Sequence, residues 1–360
     1  MFSAQAAAVA AAALAFGLLM KRPRKKTVVV MGATTDIGAA VVRALRKDGR
    51  FRIHAVITDP AMYDIKVPGC AKCVAANRHD PFSLNRAMIG ADFAFLAVDS
   101  EGLEPDQYAT LAKKLADAAR GADLEHCVWY SMEGPDALNG VPPLPNTQPT
   151  CIHPGMEKHA ACLVFGSNHT SLCFAGVPKT GLPQLEAEVS AARYARSTGM
   201  RMTVVAGSLP FEAILCHAKL TLDKRAHLVT LPLGGVPVPS IAMESVGKCV
   251  AVILGAPILY ATRTLTLATE KHTMREYCDI LSKVTGKHFA YNEVGNDVFS
   301  MVAGNEPLGS LCAAITDRNK PHCLARATGT AAKLSPDLVS FEKWAKQAIS
   351  PRDAAWAQDM

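Results

Sequence analysis

Thr27-Val28-Val29-Val30-Met31-Gly32-Ala33-Thr34-Thr35-Asp36-Ile37-Gly38 decides how this chain folds. Its first five residues are an unbroken apolar, largely β-branched run, the pattern of a strand buried on both faces. A glycine-flanked turn follows. Val41, Val42 and Leu45 then recur at helical spacing up to Asp48-Gly49, and Phe51–Ile57 reads as the next strand, stopped by Thr58-Asp59-Pro60. Strand, glycine turn, helix, strand is the opening of a doubly wound parallel sheet. The rhythm continues with a short strand near Cys73–Ala76, a helix around Phe82–Ile89, a strand at Phe93–Val98, a helix over Pro105–Arg120 and a strand at His126–Ser131. Alternation this regular predicts an α/β, Rossmann-type doubly wound sheet with helices on both faces.

From Glu133 to about Thr180 the pattern stops, and Pro142, Pro143, Pro145, Pro149 and Pro154 mark a long insertion. Periodicity returns with a helix near Gln184–Thr198 and strands at Met202–Ala206 and His227–Leu231. Beyond them come a helix from Met243 to Leu254 and a strand at Thr264–Ala268. Thr273-Met274-Arg275-Glu276 is a capping box opening one more helix. The expected organisation is a basic-flanked N-terminal segment over residues 1–26, a Rossmann-type domain over 27–206 with its insertion at 133–180, and a smaller C-terminal lobe over 207–360 closing on the sheet's carboxyl edge.

With 49% hydrophobic and 19% charged residues the chain can bury a sizeable core, which excludes a disordered chain. Its 38 Lys and Arg exceed its 32 Asp and Glu, but five of the positive residues lie in Lys21–Lys26, which leaves 33 against 32. The globular part is therefore nearly neutral and no nucleic-acid partner is expected. The cluster follows an uncharged run from Phe2 to Met20. At about 1.5 Å per residue such a helix just spans a hydrocarbon core of about 30 Å. A secretory signal carries its charge before the apolar core, not after it. The expectation is an N-terminal apolar helix that makes a single-pass membrane protein with its globular part on the cytosolic side, in a mitochondrial or other organellar membrane. A cleaved organelle-targeting segment and a plain Ala-rich helix are the alternatives.

Eleven cysteines without a regular spacing fit a reducing compartment better than a disulfide framework. Cys70-x-x-Cys73 is a single pair, more readily two small buried residues than a zinc site or redox dithiol. Cys151, His153, His159, Cys162, His169 and Cys173 crowd the Pro-rich insertion, but their spacings fit no recognised finger, and no metal is assigned.

Arg43–Phe51 as R-A-L-x-K-D-G-x-F, the turn Tyr130-Ser131-Met132-Glu133, Phe211-Glu212, the L-P-x-G-x-V-P stretch at Leu231–Pro239 and Thr266–Leu281 follow one another in a specific order. In these the chain resembles the NmrA-like atypical short-chain dehydrogenases, and among them the redox-sensor type, over about residues 27 to 350. The resemblance implies a Rossmann-type domain holding NAD or NADP, in a family where several members act as sensors or repressors without catalysis. It also implies that the stretch Leu231–Pro239 is a hairpin. The positions it places at the dinucleotide are Gly32, Thr34, Thr35, Ile37, Gly38, Asp59, Asp80 and Val98.

The departures from that pattern weaken the ligand. The middle glycine of the family's G-x-x-G-x-x-G is Thr35, and Asp36 sets a carboxylate beside the expected phosphate. Where NADP binders place an arginine after the second strand this chain has Thr58, followed by Asp59, which could hold ribose hydroxyls and favour NAD or could simply make a turn. None of the seven tyrosines has a lysine four residues on, and Leu185-Glu186-Ala187-Glu188-Val189 carries acids where atypical members use a lysine. No catalytic residue is assigned. The expected function is a non-catalytic dinucleotide sensor or an accessory subunit of a membrane complex, with a protein partner. The alternative is an NAD(P)-dependent oxidoreductase with Ser131, Glu133 or Lys179 near the nicotinamide.

Overall fold

The computed structural model describes residues 24–98, 103–132, 134, 183–220, 225–303, 309, 312, 316 and 328–349. Six strands, β1 (Lys26–Met31), β2 (Phe51–Ile57), β3 (Lys72–Ala75), β4 (Phe93–Ala97), β5 (His126–Ser131) and β6 (Met202–Ala206), lie parallel in one sheet. Thr264–Thr266 adds a seventh, parallel to β6, so the order across the sheet is Thr264–Thr266, β6, β5, β4, β1, β2, β3. The winding reverses between β1 and β4, and in such sheets ligands lie in the crevice beyond the strand ends at that reversal.

The alternation of side chains along β1 builds the two halves of the core. Val28 and Val30 face one layer and Val29 and Met31 the other. The first layer is α1 (Asp36–Asp48); the second is α2 (Pro81–Met88), α3 (Pro105–Arg120) and α4 (Pro183–Ser197). After the short α5 (Phe211–Cys216), α6 (Met243–Gly255) completes the α1 layer. The two helices touch backbone to side, since a Cβ at Gly247 would stand 2.5 Å from the Ala40 carbonyl oxygen. The chain thus returns to the central sheet well past Ser208.

Most of the remaining elements make a smaller lobe with its own core, while Tyr260 and Ala331 return to the core on the α1 side of the central sheet. In one three-stranded sheet β7 (Leu209–Pro210) and β12 (Glu270–His272) flank β10 (Val238–Ile241); in the other β8 (Ala218–Leu220) and β13 (Phe289–Glu293) flank β9 (His227–Leu231). Thr264–Thr266 is β11 of this numbering. Phe211, Tyr277 and Phe341 are fully buried between these sheets, α8 (Met274–Thr285) and α11 (Phe341–Ala348), which follow α7 (Pro257–Tyr260) and, in between, α9 (Asn296–Ala303) and α10 (Gly329–Leu334). The capping box is formed: Thr273 Oγ1 accepts from Glu276 N at 3.3 Å, and Glu276 Oε2 accepts from Thr273 N at 2.7 Å.

Three expectations are corrected. The first described element is β1, and among the described residues no helix precedes it; Phe2–Met20, where the apolar helix was expected, lies outside them. Nor is the single-pass membrane protein supported, because no helix among the described residues is long and apolar enough to cross a membrane. The longest of them, α3, carries Asp106, Lys113, Lys114, Asp117 and Arg120 on its outer side and buries only the opposite stripe. Finally, Leu231–Pro239 is not a hairpin. β9 and β10 belong to different sheets, and Pro232 and Pro237 between them remove amides that a hairpin ladder would use.

At the amino edge of the sheet His126 is 1% exposed. Its Nε2 lies 2.9 Å from Thr203 Oγ1, whose own proton goes to the Tyr260 carbonyl at 2.7 Å, so Nε2 must be the donor in the first contact. Burial pushes this imidazole down to about 4. The unfolded chain, with His near 6.5, binds the extra proton first, so stability rises with pH from about 4 to about 6.5. Acidifying across that window is expected to cost on the order of 3 kcal/mol from this group. Denaturant midpoints at pH 4.5 and pH 7 test it: His126→Gln should narrow the gap between them, and an unchanged gap would refute the assignment.

Candidate functional site

Each residue of the glycine turn has a local reason to be where it is. Gly32 takes φ +63°, a left-handed conformation that turns the chain out of β1 at little cost to glycine. Gly38 has no room for any side chain, because a Cβ there would meet the Gly32 carbonyl oxygen at 2.0 Å. The tight turn and the close approach of helix to strand that a dinucleotide requires are both kept.

Thr35 changes what the turn offers. It is the N-cap of α1; its Oγ1 donates to Gly32 O at 2.8 Å and accepts from Gly38 N at 3.2 Å. A first-turn amide that would otherwise point at a phosphate is therefore satisfied from within. Asp36, exposed in the same turn, adds negative charge at the helix N-terminus. A second carboxylate stands near it. Burial raises Glu212 above the usual carboxylate range, its amide partners including Met243 N at 3.2 Å lower it, and the Asp36 charge raises it again. The backbone keeps a tight glycine turn, and the side chains beside it fill one amide and add negative charge.

Thr34 is half-buried and Ile37 buried in the same turn. Asp59 follows β2 and is exposed; its Oδ1 accepts from Ala61 N at 2.9 Å and caps the short helical turn Pro60–Met62. Asp80 follows β3 and caps α2 through Phe82 N at 3.0 Å. Val98, half-buried, directly follows β4. The topology thus brings the glycine turn, Asp59, Asp80 and Val98 to one edge of the sheet, with the turn and Val98 flanking the winding reversal. A surface cleft of about 420 Å³ at the opposite edge, lined by Arg120, Glu125 and Arg201 among others, shares no residue with them.

At the carboxyl end of β5 the structure brings in a residue from much later in the chain. Glu188 of α4 is 7% exposed, and its Oε2 accepts from Ser131 Oγ at 3.0 Å and from Met132 N at 2.7 Å. Tyr108 is buried beside them. Burial pushes its hydroxyl well above the usual phenol range, and the Glu188 charge pushes it further, against a hydrogen bond with Ser131. Tyr130, half-buried, places its hydroxyl 3.7 Å from Met132 Sδ. Short-chain dehydrogenase chemistry needs a tyrosine whose proton is loosened by a nearby cation. Among the described residues the charge acting on Tyr108 is the Glu188 carboxylate, which works in the other direction. Glu133 and Lys179 lie outside the described residues, as does the Cys151–Cys173 cluster.

The model of the NmrA-like family matches residues 24–145 and 184–342. The chain belongs to the NmrA-like family. Its fold is also that of solved structures at low identity. NmrA, a negative transcriptional regulator, solved in complex with NAD, superposes with a TM-score of 0.68 at 18% identity, over 93% of this chain and 98% of the other. The Citrobacter sp. triphenylmethane reductase complexed with NADP(H) gives 0.63 at 18% identity, over 90% and 100%. An NADPH-dependent quinone oxidoreductase from Escherichia coli, complexed with NADPH, gives 0.65 at 16% identity, over 90% and 100%.

Tyr108 and the pairing of Glu188 with Ser131 escaped the sequence reading. The signal was faint: Glu188 lies in an Ala- and Val-rich helix stretch, on the stripe of Ala191, Ala192 and Ala195 that packs into the core. An acid on such a stripe is either paired or costly.

Proposed function

We propose that this NmrA-like chain is non-catalytic and acts as a weak nicotinamide-dinucleotide sensor, preferring NAD to NADP and reporting to a protein partner. The observation that carries the reading is Glu188, a buried carboxylate bonded to Ser131 and Met132 where proton transfer would need a cation. Thr58 and Asp59 after β2 offer no positive charge for a 2′-phosphate, which supports the NAD preference. The kept glycine turn supports binding, and the capped amide of Gly38 with the charge of Asp36 supports its weakness. NmrA itself, a regulator seen with both NAD and NADP, is the relative that fits this reading.

Calorimetric titration with NAD, NADH, NADP and NADPH tests the binding half. Wild type is expected to bind in the high micromolar range or weaker, and Thr35→Gly combined with Asp36→Asn to bind at least about tenfold more tightly, or about 1.4 kcal/mol. Steady oxidation of NADPH by wild type with a quinone acceptor would overturn the non-catalytic half. Low-micromolar binding unchanged in the double variant would overturn the account of the turn.

A further inference from the structure

Cys70 and Cys73 are not the two small buried residues their spacing suggested: Cys73 is exposed and Cys70 half-buried. Both are held on Val67. Val67-Pro68-Gly69-Cys70 is a reverse turn with Gly69 at φ +82°, closed by Cys70 N donating to Val67 O at 3.3 Å. The chain bends at Ala71 and enters β3, where Cys73 pairs in register with Ala55. Ala55 points into the core on the α1 side of the sheet, and Cys70 and Val67 pack against that same core. Residues in register on neighbouring parallel strands share a face, so both sulfurs lie on one side of the sheet. Val67 N donates to Cys73 Sγ at 3.3 Å, so that sulfur sits back over the turn that ends in Cys70.

We propose that Cys70 and Cys73 form a reversible redox dithiol, with exposed Cys73 as the attacking thiol and Cys70 as the resolving one. The co-reactant is a small-molecule disulfide such as glutathione disulfide. Cys73 thiolate attacks one of its sulfurs, the S–S bond breaks, and one thiolate leaves and takes up a proton. Cys70 then gives up its proton and attacks the Cys73 sulfur, which expels the second thiolate. Two electrons pass from the protein thiols to the small disulfide, which departs as two thiols. The order follows from exposure: Cys73 is open to solvent, while Cys70 is half-buried and burial pushes its thiol up to about 11. Bonds that are exposed and close short loops are the labile, regulatory class. This one would tie β3 to the end of the β2–β3 connection that begins with Thr58 and Asp59.

The full-length protein, equilibrated in glutathione buffers from reduced to oxidised, alkylated and cut with trypsin, tests the proposal by mass. Cleavage after Lys66, Lys72 and Arg78 places the two cysteines on separate peptides, VPGCAK and CVAANR. They are expected to appear joined, two hydrogens lighter than their sum, and to separate again on reduction. Cys70→Ser should leave glutathione trapped on Cys73, and Cys73→Ser should leave Cys70 a free thiol. Exposed Cys216 reports that the oxidant is active. The proposal fails if wild type holds glutathione on Cys73 without the joined peptides, if either cysteine pairs elsewhere, or if both stay reduced while Cys216 is modified. The wild-type mapping does not depend on either variant folding.

Discussion

Gly38→Ala is expected to cost about 3 kcal/mol or more and to leave little folded protein at 37 °C. The added Cβ would stand 2.0 Å from Gly32 O and 2.7 Å from Gly32 C, both backbone atoms at the end of β1. Neither can swing aside. Relief requires α1 to lift from the strand, which breaks the Thr35 cap and pulls α1 from α6, whose Gly247 already approaches Ala40. Gly235→Ala is the control, since nothing lies within 4 Å of a Cβ there and its φ is not left-handed. Denaturant melts of the two variants against wild type decide it. A Gly38 variant as stable as the Gly235 variant would show that helix and strand are not packed as described. The same result would remove the case for a dinucleotide-type turn.

Phe341→Ala is expected to cost about 3 to 5 kcal/mol. The ring is fully buried and meets Phe211 at 5.1 Å and Tyr277 at 4.6 Å edge to face, with Trp344 stacked at 5.5 Å. These contacts tie the late α11 to α5 and α8, and Phe341 N also donates to Glu270 Oε1 at 2.6 Å. Truncation leaves a cavity walled by three stiff aromatic rings that collapse poorly. Thermal melting with limited proteolysis should show the C-terminal lobe opening first while the central sheet stays resistant. A loss below about 1 kcal/mol would mean that the lobe does not depend on this cluster.

The central sheet was legible in the sequence because its information is local. Val28–Met31 is apolar at every position, and only a strand covered on both faces buries all of them. Phe93–Ala97 repeats the pattern and Phe51–Ile57 follows it apart from Arg52 and His54, with helical spacing between. Thr273 caps its helix by reaching three residues along the chain, so Glu276 announces it. The candidate site was legible to the same depth. Gly32 and Val98 could be placed at strand ends and Gly38 in the first turn of α1 by counting elements, but the direction in which Thr35 turns its hydroxyl could not.

What the sequence determined by itself, then, was the alternation of strands and helices, the glycine turn and the family pattern, since hydrophobic period and capping act over a few residues. Only the tertiary structure decided which strand lies beside which. Thr264–Thr266 reaches the sheet because β6 leaves an open edge, and β9 and β10 part company although six residues separate them. It also decided the chemistry of the site. Glu188 is 57 residues from Ser131 along the chain and 3.0 Å from it in space. No local rule links them; burial of the α4 stripe against β5 does, and that burial, with the Glu188 charge second, makes Tyr108 hold its proton.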